Sequence, residues 1–159
     1  MMNQSLHDIL LRAHSIGRWL LLLILLIAIF RNAAAGRRPF TSGDARTGLM
    51  LTIVADLMLL LGLVLYFAGP LGYHSLAGYN GGMGAAMQDP IARFYGVEHI
   101  TGMLIAIVLM HIGKAQGKKV MSDRKKHTRS AVFYVLALLI ILATIPWPFT
   151  QAGAGRAWF

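Results

Sequence analysis

The sequence predicts an all-α integral membrane protein: a four-transmembrane-helix up-down bundle with both termini on the non-cytoplasmic side. Three observations carry that reading. The 159 residues are 57% hydrophobic and 13% charged, with a mean hydropathy of +0.61, more apolar surface than a soluble domain of this size can hide. Four apolar runs recur along the chain, each extendable to the ~20 helical residues that cross a ~30 Å hydrocarbon core. The basic residues gather in two of the three connections between those runs.

The first run, Trp19 to Phe30, is too short by itself to cross, so its helix must begin earlier and draw His14, Ser15 and Arg18 into the outer part of the span. The predicted spans are about 9–31, 48–68, 94–113 and 131–146, in one domain covering 1–159. The last span stops at Pro146-Trp147-Pro148, because neither proline can donate a backbone hydrogen bond. Ala33-Ala34-Ala35 after the first run has the look of a signal-peptide cleavage site. Arg31, Arg37 and Arg38 around it resist export, so the first span is expected to be retained. The Gly-rich segment from Gly69 to Asp89 reads as a flexible connector with room for a short helix before Pro90.

Orientation follows from charge. The connection 31–46 holds four Lys and Arg, and the connection 114–129 holds seven, together 11 of the 15 in the chain. Both are therefore expected on the cytoplasmic side, in a bacterial inner membrane crossed several times. The net charge of +9 does not point to nucleic acid, since the cations occupy short loops where they set topology and meet anionic lipid headgroups. Trp19, Tyr66, Phe67, Phe94, Tyr95 and Trp147 fall at the outer ends of the spans, as an interfacial belt does. The absence of cysteine excludes disulfides, iron–sulfur clusters and covalently attached c-type haem.

Ionisable residues within the spans are the site candidates, because each is costly in hydrocarbon. His14 and His99 lie within two turns of the outer ends of spans one and three, at similar depth. Two neutral imidazoles at one level of a helical bundle can ligate a b-type haem iron from both faces. Gly17, Gly102 and Met103 are expected to rim that gap. Arg18, one turn from His14, is a propionate contact, as are Arg12, Arg93 and Arg156. The alternative is that the histidines are interfacial and meet headgroups or each other. Glu98 has three readings: a partner for Arg18 or Arg93, a group steering a histidine ring, or an acid in the first turn of span three. Asp56, midway along span two, must be neutral, paired or facing a polar cavity. It is expected to point into the bundle, bonded to Thr52 or Tyr134, or to serve as a proton or quinone contact. His111 reads as interfacial; His7 and His74 read as solvated, and His127 lies in the basic loop.

These residues form segments with a familiar order: His14-Ser15-x-x-Arg18-Trp19, Leu61-Gly62-Leu63-x-Leu65-Tyr66-Phe67, Arg93-Phe94-x-x-Val97-Glu98-His99, Ile145-Pro146-Trp147-Pro148-Phe149 and Gly155-Arg156-x-Trp158-Phe159. Over nearly the whole chain the sequence resembles the small four-span membrane proteins of Bacteroidetes-type bacteria commonly labelled "cytochrome B". That resemblance implies haem b, membrane electron transfer, and His14 and His99 as its ligands. It also implies a polar residue, sometimes histidine, near the position of Asp56.

Two functions are expected from this reading. One is a membrane-embedded b-type cytochrome, with a single haem near the outer face exchanging electrons with quinol or a partner protein. The other is a cofactor-free small subunit or assembly factor of a larger respiratory-type membrane complex. The topology is testable directly. A fluorescent reporter fused after Gly117 should light up in the cytoplasm and an exported phosphatase fused there should stay inactive; the reverse pattern would invert the bundle.

Overall fold

The computed structural model describes residues 3–154, and among them every regular element is helical. Helix α1 runs Gln4–Ala33 and α2 Ser42–Ala68. Two short helices follow, α3 (Tyr73–Ala77) and α4 (Gly82–Ala86). One continuous helical stretch then contains α5 (Pro90–Arg93), a π-helical turn (Phe94–Glu98), α6 (His99–Ala115) and a 3₁₀ turn (Gln116–Lys118). Helix α7 is Asp123–Thr144. Four helices are long and apolar enough to cross a membrane. Helices α1 and α6 each pack on both α2 and α7, so α1 and α6 stand diagonally across the bundle.

The helix ends follow local chemistry. The Asn3 side chain accepts the Ser5 N–H at 3.0 Å and caps α1. At α2, Asp44 in the first turn accepts the Thr41 N–H and hydroxyl, both at 2.9 Å. Asp89 accepts from Ile91 and Ala92 and caps α5, with Pro90 in the first turn, where its missing N–H costs nothing. The third spanning helix therefore starts at Pro90 and not 94, and α7 starts at Asp123 and not 131. Hydropathy marks only the apolar middle of a helix. The charged turns beyond it stay helical when a cap and an acid in the first turn suit them, as Asp123 does here with Lys126 at 3.2 Å. The other end of α7 stops at Thr144, because Ile145 precedes a proline and adopts an extended conformation.

The interior is built on small side chains. Ala28, Ala55, Ala106 and Ala137, one from each long helix, are each 0% exposed. Tyr134 fills the room left by two glycines: a Cβ on Gly113 would come within 2.6 Å of its ring, and one on Gly48 within 2.9 Å of its hydroxyl. Small residues let helix backbones approach closely, which is how membrane bundles gain dispersion energy without a hydrophobic effect. The large apolar residues point outward instead, Phe30, Leu57, Leu60 and Leu139 among them.

Two findings differ from the sequence reading. The segment Gly69–Asp89 is no simple connector. It carries two helices and a small core of its own in which Leu76, Ala86 and Ala92 are buried against Tyr79 and Met87. The Tyr79 hydroxyl donates to Asp89 at 2.7 Å, and Leu76 sits against Gly96. His127 is not a loop residue but a buried one on α7. Its Nδ1–H donates to Asn32 Oδ1 at 2.9 Å, and Asn32 in turn donates to the Ala28 carbonyl at 2.8 Å.

The end of the bundle that bears the two basic connections is tied by Asp44, whose side chain is wholly buried. Arg38 donates to both carboxylate oxygens at 2.6 and 2.7 Å, and Arg31 adds a third bond at 3.1 Å. Burial of Asp44 opposes its ionisation, but the bonds from Arg38 and Thr41 outweigh it and hold the pKa well below the usual carboxylate range. A carboxyl with a folded pKa below its unfolded one contributes its full stability above about pH 4 and loses it as acid approaches the folded value. Thermal melts of the purified protein should therefore show an acid-side loss of stability below about pH 4. Asp44→Asn should remove that step and cost about 2 kcal/mol at neutral pH, as loss of a charged hydrogen bond does. A melt unchanged by the substitution at every pH would refute this role.

Candidate functional site

The polar groups at the opposite end of the bundle centre on His14 and His99. Their rings reach toward each other from the diagonal helices, with centroids 6.4 Å apart and planes at 72°. His99 Nδ1 lies 2.7 Å from the Thr144 carbonyl oxygen. A carbonyl only accepts, so Nδ1 carries the proton and Nε2 keeps its lone pair. The availability of that carbonyl is written in the sequence. In a continuing helix it would accept from the residue four positions on, which is Pro148 and has no N–H. Leu142 faces Pro146 in the same way, and its carbonyl accepts the Trp147 indole N–H at 2.8 Å.

His14 is half-buried. Its Nδ1 is buried and has no hydrogen-bond partner among the described residues. The Cε1 edge of the ring lies against Gly62 of α2, where an added Cβ would approach to 3.3 Å. Arg18 lies within electrostatic reach of both imidazoles, and its guanidinium is 5.1 Å from the centroid of the Trp19 ring. Arg12 is exposed. Arg156 lies outside the described residues.

The three rim residues have other surroundings. A side chain on Gly17 would collide with the Met58 thioether, and one on Gly102 would come within 2.5 Å of Thr144. Met103 packs against the hydrophobic core. These glycines thus bring α1 close to α2 and α6 close to α7, a packing role that sequence spacing cannot distinguish from a cofactor cleft.

The π-helical turn settles the place of Glu98. In a π turn residues five apart stack, whereas in an α-helix residues three and four apart do. Two such pairs occur here. Arg93 Nε donates to Glu98 at 2.6 Å on the exposed face, and Phe94 stacks on His99 with centroids 5.9 Å apart. Glu98 therefore pairs with Arg93. The Tyr66 hydroxyl satisfies the Gly96 carbonyl of this turn at 3.0 Å, and Tyr95 donates to the Ala152 carbonyl at 2.6 Å. No α-periodic pattern signals this turn.

Asp56 corrects a second expectation. Its partner is neither Thr52 nor Tyr134 but His111, with Nε2 2.9 Å from Oδ1. Both side chains are about half exposed, at 51% and 44%, so Asp56 lies along the outer seam of α2 and α6 and not inside the bundle. One turn away Lys114 donates to the Thr52 hydroxyl at 3.2 Å. Antiparallel helices bring 56 to 111 and 52 to 114. The pairing is set by the register of α2 against α6, which the ends of the apolar runs do not fix.

No protein-family model, curated protein or solved structure matches the chain. The class defined by fold and site is an all-helical bundle with four helices able to cross a membrane and an imidazole pair across its diagonal.

The seam pair can be separated energetically. His111→Leu alone should destabilise the protein, because it leaves the Asp56 side chain without its partner on an otherwise apolar seam. Adding Asp56→Leu should restore most of the loss, with a coupling of about 1–2 kcal/mol in a double-mutant cycle of thermal melts. Additive losses would mean that the two side chains act independently.

Proposed function

We propose that the chain is a b-type cytochrome of the bacterial inner membrane, with one haem held between His14 and His99, and that it exchanges electrons with quinol or a partner protein. The facing imidazole pair is the observation that carries this reading. When two imidazoles bind one iron from opposite sides, with each nitrogen about 2 Å away, their ring centres stand about 6 Å apart; the observed separation is 6.4 Å. The donor set suits haem iron, for imidazole is a common ligand and the chain has no thiolate to compete.

The Thr144 carbonyl holds the His99 proton on Nδ1 and leaves Nε2 free to ligate, the outer-shell bond that ligating histidines ordinarily make. His14 supplies the second ligand, and its unbonded Nδ1 edge faces Gly62. The flexible Met58 thioether beside Gly17 is the side chain that yields most cheaply to a flat group. Arg18 brings a fixed positive charge for a propionate. Haem held by these two residues would supply one-electron transfer. Asp56 with His111, at the bilayer-facing seam, and Glu98 are the groups that would accept protons from a quinol headgroup.

A second reading keeps the pair structural, in a cofactor-free subunit or assembly factor. The close packing at Gly17 and Gly102 favours it, since the histidines then act with Thr144 to fix how the helices meet. Colour decides between the two. The protein purified from cells supplied with haem should show a Soret band and a low-spin reduced spectrum. His14→Ala or His99→Ala should remove most of that absorbance, and His74→Ala in the α3 segment should leave it. A colourless, folded protein that fails to take up added haem would leave the structural reading.

A further inference from the structure

At the other end of the bundle, two hollows adjoin beside the turn between α6 and α7. The first has a volume of about 350 Å³ and an apolar floor of Ile112, Val132 and Phe133 below a basic rim of Lys119 and Arg129. The second, about 440 Å³, is flanked by Arg124 and Lys125 and shares Thr128 and Arg129 with the first. The floor faces outward: Ile112 is 37% and Val132 51% exposed. A basic rim above an apolar, outward-facing floor matches a phospholipid, headgroup above and acyl chains below.

Two further observations point to the ligand. The cations here are uncompensated. Arg31 and Arg38 are taken by Asp44, and Lys126 by Asp123, but Lys119, Arg124, Lys125 and Arg129 form no ion pair among the described residues. Gln116, 1% exposed, lines the first hollow. Its amide nitrogen donates to the Ile112 carbonyl at 2.8 Å, while its Oε1 is buried without a donor among the described residues. A phosphate cannot satisfy that oxygen, because it accepts too. A hydroxyl can.

We infer that this double hollow binds an anionic phospholipid with a glycerol headgroup, one phosphodiester in each hollow: a diphosphatidylglycerol. Arg129 and Thr128 stand between the two phosphates. Lys119 meets the first and Arg124 with Lys125 the second, beside the N-terminus of α7, whose dipole adds to the attraction. A headgroup hydroxyl donates to Gln116 Oε1. This inference rests on the reading of the bundle as membrane-spanning and is independent of the haem, so the absorption spectrum and the lipid experiment fail separately.

The test uses the detergent-purified full chain, delipidated, with thermal melts and native mass spectrometry as readouts. Tetraoleoyl diphosphatidylglycerol should bind one to one and raise the melting temperature. Dioleoylphosphatidylcholine and inorganic phosphate should do neither. Lys119→Ala with Arg129→Ala should weaken binding about tenfold or more. Arg37→Ala with Arg46→Ala removes the same charge from the other basic connection and should leave binding intact. Gln116→Leu should also weaken it, because it removes the acceptor that the headgroup hydroxyl meets. Equal losses in the two arginine-bearing pairs would reduce the effect to general surface charge and overturn the site. Equal stabilisation by dioleoylphosphatidylglycerol at matched phosphate would overturn the two-phosphate assignment, and stabilisation by phosphate alone would overturn the lipid.

Discussion

A helix carbonyl that loses its N–H partner must find another donor. Near the end of α7 this constraint organises the bundle. Pro146 and Pro148 remove the N–H groups that Leu142 and Thr144 would have met, and the two orphaned carbonyls are taken by the Trp147 indole and by His99. The first bond folds the chain end back on its own helix. The second reaches across to α6, fixes the His99 tautomer and aims its remaining nitrogen lone pair. A pair of prolines thereby sets the chemistry of a histidine on another span.

The same accounting explains the π-helical turn ahead of His99. A π turn leaves carbonyls poorly served and would be costly if exposed to lipid, yet Tyr66 from α2 donates to Gly96 within it. The turn changes which side chains stack, pairing Arg93 with Glu98 and Phe94 with His99. Such turns are frequent at functional sites because they re-aim one side chain without breaking the helix.

The two ends of the bundle are held by different forces. Around His14 and His99 the contacts are neutral hydrogen bonds, ring contacts and glycine-mediated approach. At the basic end one buried carboxylate, Asp44, gathers two arginines, and an Asn32–His127 hydrogen bond ties α1 to α7. Asp44 offsets only part of the positive charge there, which leaves the α6–α7 turn as a cationic rim over an apolar surface. Between the ends the packing rests on alanine and glycine, so that close backbone approach, and not large interlocking side chains, holds the four helices.

The sequence alone shows how many helices are long and apolar enough to cross a membrane, where the last one stops, and that His14 and His99 come level. Those properties follow from apolar run length, a missing N–H and a rise of about 1.5 Å per residue. It also marked Asp56, Arg18 and Glu98 as groups that need an explanation in hydrocarbon. Their partners emerge only once the helices pack, because rotation about a helix axis depends on every turn before it and a π turn is invisible to a 3.6-residue pattern. Asp56 met His111 and not Thr52, since the register of α2 against α6 is set by packing and not by where the apolar runs end. Gly17 and Gly102 looked like room for a ligand, but a glycine states only that a side chain is absent; Met58 and Thr144, distant in sequence, decided what fills the room. Thr144 carried no signal as a histidine partner until the chain brought α6 against the carbonyl that Pro148 had left free.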